Sequence, residues 1–313
     1  KDKKGFKKDK KYASEITKQL EKENADPRFL AELYLERAYL YETANQLKAK
    51  GKAKIQRFIR KSVELHDTIE ARYFLGRTLL RYEKKPEEAY EQFKICEERK
   101  MDFKWLYFYI AQCHEDLKQE DDAIEYYEKL WEKDPEFNDC CWRIGWIYRK
   151  KLRKTMVKEY GEKALYYFNL QEEKFGAGYN LLRWRSYVYL CLNEPQKALQ
   201  DAENGLEKKK DSGLWLLRGR ALKTLRRYEE AIESFKNSIR CEERYGEDDS
   251  YCYGRIFDCY KFLNKLKQAA DFFEAELEVV ATEELKEECL EQLVRCAAIQ
   301  GEYAVAFQWL EKQ

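Results

Sequence analysis

Residues Trp215 to Ile239 read WLLRGRALKTLRRYEEAIESFKNSI, and the spacing within this stretch decides the fold. A large residue (Trp215) is followed four positions on by a small one (Gly219), twelve later by Ala231 and four later by Phe235. The stretch YFYIAQCHEDLKQEDDAIEYYEKLWEKDP, from Tyr107 to Pro135, runs in the same order through Tyr107, Ala111, Ala123 and Tyr127.

Extending this frame puts the small residue at Gly76, Ala111, Gly145, Ser186 and Gly219, with Phe257 and Val294 as bulkier substitutes. The spacings are 35, 34, 41, 33, 38 and 37 residues, a period that marks a repeat architecture. The partner alanines are Ala89, Ala123, Ala164, Ala198, Ala231, Ala269 and Ala306, followed by Phe93, Tyr127, Phe168, Ala202, Phe235, Phe273 and Leu310. Two antiparallel helices come close where a small side chain on each admits the other backbone, so glycine meeting alanine is expected at each crossing. Large residues three or four positions away lie on the same face and fill the space around it. One such hairpin cannot bury both its faces, so the next must stack on it.

The punctuation agrees. Pro86 and Pro195 stand where a first-turn proline is tolerated, and Asp134-Pro135 closes a repeat. Glu87, Glu88, Glu229 and Glu230 fall in first turns, where the helix dipole favours negative charge. With 13 Gly and 4 Pro, the chain has few helix breakers. Its 44% hydrophobic and 38% charged residues suffice for a long core under a solvated surface.

Lys plus Arg number 60 against 59 Asp plus Glu, so no net field draws the chain to nucleic acid or anionic lipid. The longest apolar runs fall short of the roughly 18 to 20 residues that span a bilayer, and a cytoplasmic location is expected. Ten cysteines without a C-x-x-C pair read as small buried hydrophobes in a reducing compartment. The chain starts at Lys1 and holds two Met, which suggests a piece of a longer polypeptide or a processed chain. Residues 1–24 are expected to be a basic N-terminal segment, linker or extra helix, and 25–313 the repeat domain. Seven lysines in KDKKGFKKDKK, residues 1–11, suit either a solvated linker or a basic arm.

The order W-x2-L-G-x2-Y, then A-x3-F, then P resembles the tetratricopeptide repeat, legible in seven segments over about residues 69 to 313. Residues 28 to 65, with Ala38 as a small residue, add one more hairpin. The resemblance implies an all-α, right-handed superhelical solenoid of about eight stacked antiparallel helix pairs. It also implies a scaffold or adaptor that binds a peptide or partner protein in a concave groove lined by the first helices. One departure is the 41-residue spacing, whose basic insert, Arg149 to Glu162, is expected as an extended helix or a loop.

Carried to this chain, the resemblance makes Tyr73, Arg77, Trp105, Phe108, Gln112, Trp142, Trp146, Arg149, Asn180, Arg183, Tyr187, Arg220 and Lys223 the groove residues. Tyr251, Asp258 and Lys261 continue the series. For Phe108 and Trp142, packing between neighbouring first helices is the other reading. Trp, Tyr and Arg dominate binding hot spots, and arginines without matching carboxylates in the groove favour a partner with acidic residues, beside aromatic ones. The Lys-x-x-Gly-Asn start of the tetratricopeptide domains that grip chaperone tails is absent, so a different peptide class is implied.

Catalytic, cofactor-binding and metal residues are not expected. His66 and His114 are the only histidines; Cys113 and His114, being adjacent on a helix, point about 100 degrees apart. No H-E-x-x-H, G-x-S-x-G or phosphate-cradling loop occurs. Besides the scaffold, a peptide-sensing regulatory module of a larger protein stands as an alternative. Single-stranded nucleic-acid binding by stacking on Trp105, Trp142 and Trp146 is another, weakened by neutrality. The segment Tyr303 to Leu310 is expected to expose Phe307, Trp309 and Leu310, which would permit self-association.

Overall fold

The computed structural model describes residues 3–42, 49–241, 252–280 and 282–312. Among them the regular secondary structure is helical, and the chain divides into two compact units, Lys1–Cys140 and Cys141–Gln313. The first holds α1 (Lys3–Lys22), α2 (Pro27–Glu42), α3 (Ala49–Leu65), α4 (Ile69–Thr78), α5 (Pro86–Glu98), α6 (Lys104–Asp116) and α7 (Glu120–Lys133). The helix α8 (Asp139–Thr155) opens at the boundary and lies almost wholly in the second. That unit continues with α9 (Lys158–Phe175), α10 (Tyr179–Cys191), α11 (Pro195–Lys208), α12 (Ser212–Thr224) and α13 (Tyr228–Arg240). It ends with α14 (Cys252–Phe262), α15 (Leu266–Val279), α16 (Glu283–Gln300) and α17 (Tyr303–Leu310). From α2 onward consecutive helices form eight antiparallel pairs, and within each unit neighbouring pairs stack.

Each pair from α4/α5 onward turns on one residue in the left-handed region: Lys84, Lys118, Met156, Asn193, Arg226, Asn264 and Gly301, with φ between 57° and 78°. In five of these seven turns the next amide reaches back five residues, as in Gln119 N–H to His114 O (2.9 Å) and Arg227 N–H to Leu222 O (2.9 Å). This closes the orphan carbonyls of the first helix. In the regular copies the small residue lies seven positions before this turn and the alanine five after, as in Gly219, Arg226 and Ala231. A single π turn, Leu79–Glu83, ends α4 and adds one residue, so Lys84 stands eight after Gly76. Around the basic insert, Met156 stands eleven after Gly145 and Ala164 eight after Met156. The extra residues therefore lengthen both α8 and α9, and the turn between them stays short.

The crossings are buried as the period requires: Gly145 and Gly219 are covered, and Ala123 and Ala231 are fully buried. What fills the space over the glycines, however, is the aromatic ring four residues beyond the alanine. A Cβ built on Gly76 would lie 2.7 Å from Phe93, on Gly145 2.7 Å from Phe168, and on Gly219 2.5 Å from Phe235. Glycine is needed because a flat ring, not a methyl group, presses on its helix. Where the ring is missing, at Ala202, the opposing residue is Ser186, whose Oγ donates to Ala198 O at 2.8 Å. The volume lost on one helix is partly restored on the other.

The core of the first unit gathers Tyr34, Ala38, Ile55, Ile59, Phe74, Phe93, Leu106 and Cys113. In the second, Phe168, Leu181 and Val188 form one cluster, and Phe235, Phe257, Phe273, Cys289 and Leu293 belong to another. All ten cysteines are free thiols, eight of them buried. Burial pushes the Cys113 and Cys289 thiols up to about 12, so they pack as neutral groups. Trp309, expected to be exposed, is half-buried against the C-terminal core, because α17 lays one face on α16. No helix among the described residues is long and apolar enough to cross a membrane.

Candidate peptide-binding surfaces

The residues singled out from the sequence fall into two sets, one in each unit. In the N-terminal unit, first helices of successive pairs stand side by side and enclose a cleft of about 700 Å³. Tyr39 comes from α2, Glu70, Tyr73 and Arg77 from α4, Met101, Asp102 and Phe103 from the turn before α6, and Trp105 and Tyr109 from α6 itself. The repeat brings them together: residues a few turns apart on one helix face the same positions on the next.

Of the predicted residues, Tyr73, Arg77 and Trp105 line this cleft. Trp105 is 38% exposed and Phe103 39%, while Tyr73 is held edge-on to Phe103 at 5.5 Å and to Tyr109 at 6.0 Å. Phe108, 7% exposed, packs beneath Trp105 (5.6 Å) and against Phe137 (5.3 Å). Gln112 is half-buried on α6 and is not among the cleft residues. Tyr39, Phe103 and Tyr109 were missed. Tyr39 directly follows Ala38, the offset that Arg77 has from Gly76, so the frame itself was a signal for it, and the aromatic density of FKWLYFY was another that the fixed offsets passed over.

In the C-terminal unit the predicted residues form a ladder of rings and cations. Trp142 and Trp146 stack at 5.8 Å with planes 7° apart, and Trp146 meets Trp184 edge-on at 4.7 Å. Arg149, only 4% exposed, lies 3.9 Å from the Trp184 ring, 4.8 Å from Trp146 and 4.7 Å from Tyr187. Arg183 also lies over the Trp184 ring, at 4.2 Å. Arg220 is 5.7 Å from Tyr187, and Asn180 is half-buried near the start of α10. Trp184 was missed because it lies one position past Arg183. Tyr251 lies outside the described residues.

The cations expected to lack carboxylates mostly have them. Arg77 is ion-paired with Glu42, Arg183 with Asp211 at 3.3 Å, and Lys223 donates to Asp258 at 2.6 Å. Each acid stands roughly one repeat away along the chain, so stacking creates the pair. Asp211 also caps α12, accepting from Leu214 N–H at 3.1 Å. Such pairing lowers the pull these cations exert on an acidic ligand.

Paired helices, left-handed hairpin turns and glycines under aromatic rings define a class, that of the all-α helical-repeat array. The tetratricopeptide repeat family model matches residues 106–136 and 212–243, which hold α6/α7 and α12/α13. These two stretches of the chain are thus tetratricopeptide repeats. The C-terminal part of a TPR repeat-containing protein from Cytophaga hutchinsonii shares the fold at a TM-score of 0.57 and 14% identity, over 88% of this chain and 99% of that one. YrrB, described as a TPR protein with an unusual peptide-binding site, is similar at 17% identity and a TM-score of 0.47, covering 72% of this chain and all of YrrB. Yeast Tom70 is similar at 15% identity and 0.45, over 99% of this chain and 63% of Tom70. No curated protein matches.

Proposed function

We propose that the protein is an interaction scaffold that takes a peptide segment of a partner on surfaces lined by its first helices. The observation that carries this is the N-terminal cleft: about 700 Å³, walled by Tyr39, Tyr73, Trp105 and Tyr109, with Trp105 and Phe103 part-exposed. Large rings that stay part-exposed in a concavity bury area on binding at little entropic cost. Aromatic side chains of the partner suit these walls. An acidic side chain suits Arg220, which among the described residues has no ion pair, better than it suits the paired Arg77 or Arg183.

The test is selection of peptides from a random display library on the full chain, followed by calorimetry against wild type and Trp105→Ala. Selected peptides should lose about 2 kcal/mol, some thirtyfold in Kd, with Trp105→Ala. Peptides that bind both proteins equally would place recognition elsewhere.

A second contact, between copies, is favoured by α17, where Tyr303 is 66% and Phe307 67% exposed beside Leu310 at 47%. Neighbouring apolar side chains exposed on one helix mark an association surface. Light scattering should show mass rising with concentration, and Phe307→Glu should remove the rise; a constant monomer mass would discard this contact.

A further inference from the structure

We infer that the N-terminal cleft recognises an alkyl-ammonium group, the side chain of a lysine or methylated lysine carried by the partner. The inference rests on reading this cleft as the peptide-binding surface, and the observations behind it are a comparison of two aromatic clusters and an account of charge.

The C-terminal cluster supplies its own cation: Arg149 lies within 4.8 Å of Trp146, Trp184 and Tyr187 together. Elsewhere along the chain cations also cover rings, as Arg77 does Phe74 at 4.5 Å and Lys133 does Tyr107 at 4.9 Å. Among the described residues no lysine or arginine covers Tyr73, Phe103, Trp105 or Tyr109. These four rings stand 5.5 to 6.4 Å apart around the same cleft. Trp105 and Phe103, each more than a third exposed, thus offer ring surface to a cation from outside, with Tyr73 buried and Tyr109 stacked on Phe93 behind them.

The charges lining the cleft point the same way. Arg77 is neutralised by Glu42, and Asp102 by Lys133. Glu70, exposed in the first turn of α4, makes no hydrogen bond or ion pair among the described residues. One carboxylate is left over beside the exposed rings of Phe103 and Trp105, which attracts a cation and repels an acidic peptide. An alkyl-ammonium group fits better than a bare inorganic cation, because the aromatic walls gain from burying its methylene or methyl groups as well as from its charge.

The full chain is titrated with three acetylated amino-acid amides: trimethyllysine, lysine, and the neutral tert-butyl isostere of trimethyllysine. Binding is read from the indole NMR signals. The charged ligands should bind in the millimolar range, at least about tenfold more tightly than the neutral isostere. Glu70→Gln should weaken the charged ligands about threefold and leave the isostere unchanged, while Trp105→Ala should weaken all three. Preference for trimethyllysine over lysine would identify a methylated source, and no preference an unmodified one. If the isostere binds as well as the cations, the cleft is an apolar peptide surface and this inference fails while the scaffold reading stands. Failure of all three to perturb the cleft overturns it as well, and the peptide selection then decides the scaffold reading separately. Both substituted side chains are substantially exposed, and circular dichroism confirms that the variants fold.

Discussion

A Cβ on Gly219 would stand 2.5 Å from Cε1 of Phe235, closer than any packed carbon pair. The ring is fully buried and cannot swing aside, so the helix at Gly219 approaches it as closely as a glycine allows. Gly219→Ala gains helix propensity of about 1 kcal/mol but overpacks the crossing, a cost of about 1 to 3 kcal/mol. The expected result is a net loss of about 1 kcal/mol in chemical denaturation. Gly219→Ala combined with Phe235→Leu should lose less than the sum of the two single changes, and additive losses would contradict this contact.

The hairpin turns store a correctable strain. Lys118 (φ 60°) and Arg226 (φ 61°) carry side chains in a backbone region that glycine occupies without a steric penalty. Lys118→Gly and Arg226→Gly should each stabilise the protein by about 1 kcal/mol, whereas Gly301→Ala, at φ 78°, should destabilise it similarly. Melting temperatures of the three variants check the sign.

Between α10 and α11 lies a buried ion pair, Arg185 with Asp201. Arg185 donates through Nε to Asp201 Oδ2 at 2.7 Å and through Nη2 to Oδ1 at 2.9 Å, with its third nitrogen on Asn169 and Glu172. Asp201→Ala leaves a guanidinium that is 7% exposed without its main partner and should cost about 3 kcal/mol. The double variant Arg185→Met, Asp201→Leu should cost less than the single one. Denaturant midpoints for the two decide; a double variant that unfolds more easily would show the pair to be net stabilising.

Burial pushes the Glu288 carboxyl from its ordinary 4.5 up to about 7, helped by Glu291 and opposed by a backbone N–H from Gly254. Between these values the folded state binds more protons than the unfolded one, so this group's contribution to stability falls as pH rises from about 5 to about 8. In Glu288→Gln that part of the fall should vanish. Denaturation at pH 5 and pH 8 should show a smaller difference for the variant; equal differences would remove Glu288 as the cause.

The helix pairs were legible in the chain because the interval from Gly219 to Ala231 to Phe235 recurs, and interval is a local quantity that a reader can count. The candidate cleft was legible only in part. Tyr73, Arg77 and Trp105 follow from the repeat frame, and Tyr39, one position past Ala38 as Arg77 is past Gly76, was within its reach but not drawn from it, while Phe103 lies just ahead of the helix the frame describes.

Residue order alone determined that this protein is a series of antiparallel helical hairpins with small residues at their crossings, since helix propensity, capping and periodicity act within a few turns of chain. Tertiary structure decided which group presses on each glycine, which carboxylate answers each arginine, and which rings keep a face to solvent. Stacking brings residues 28 to 35 positions apart, such as Arg77 and Glu42 or Arg183 and Asp211, into contact. Charge neutralisation and ring exposure depend on those contacts rather than on neighbours along the chain.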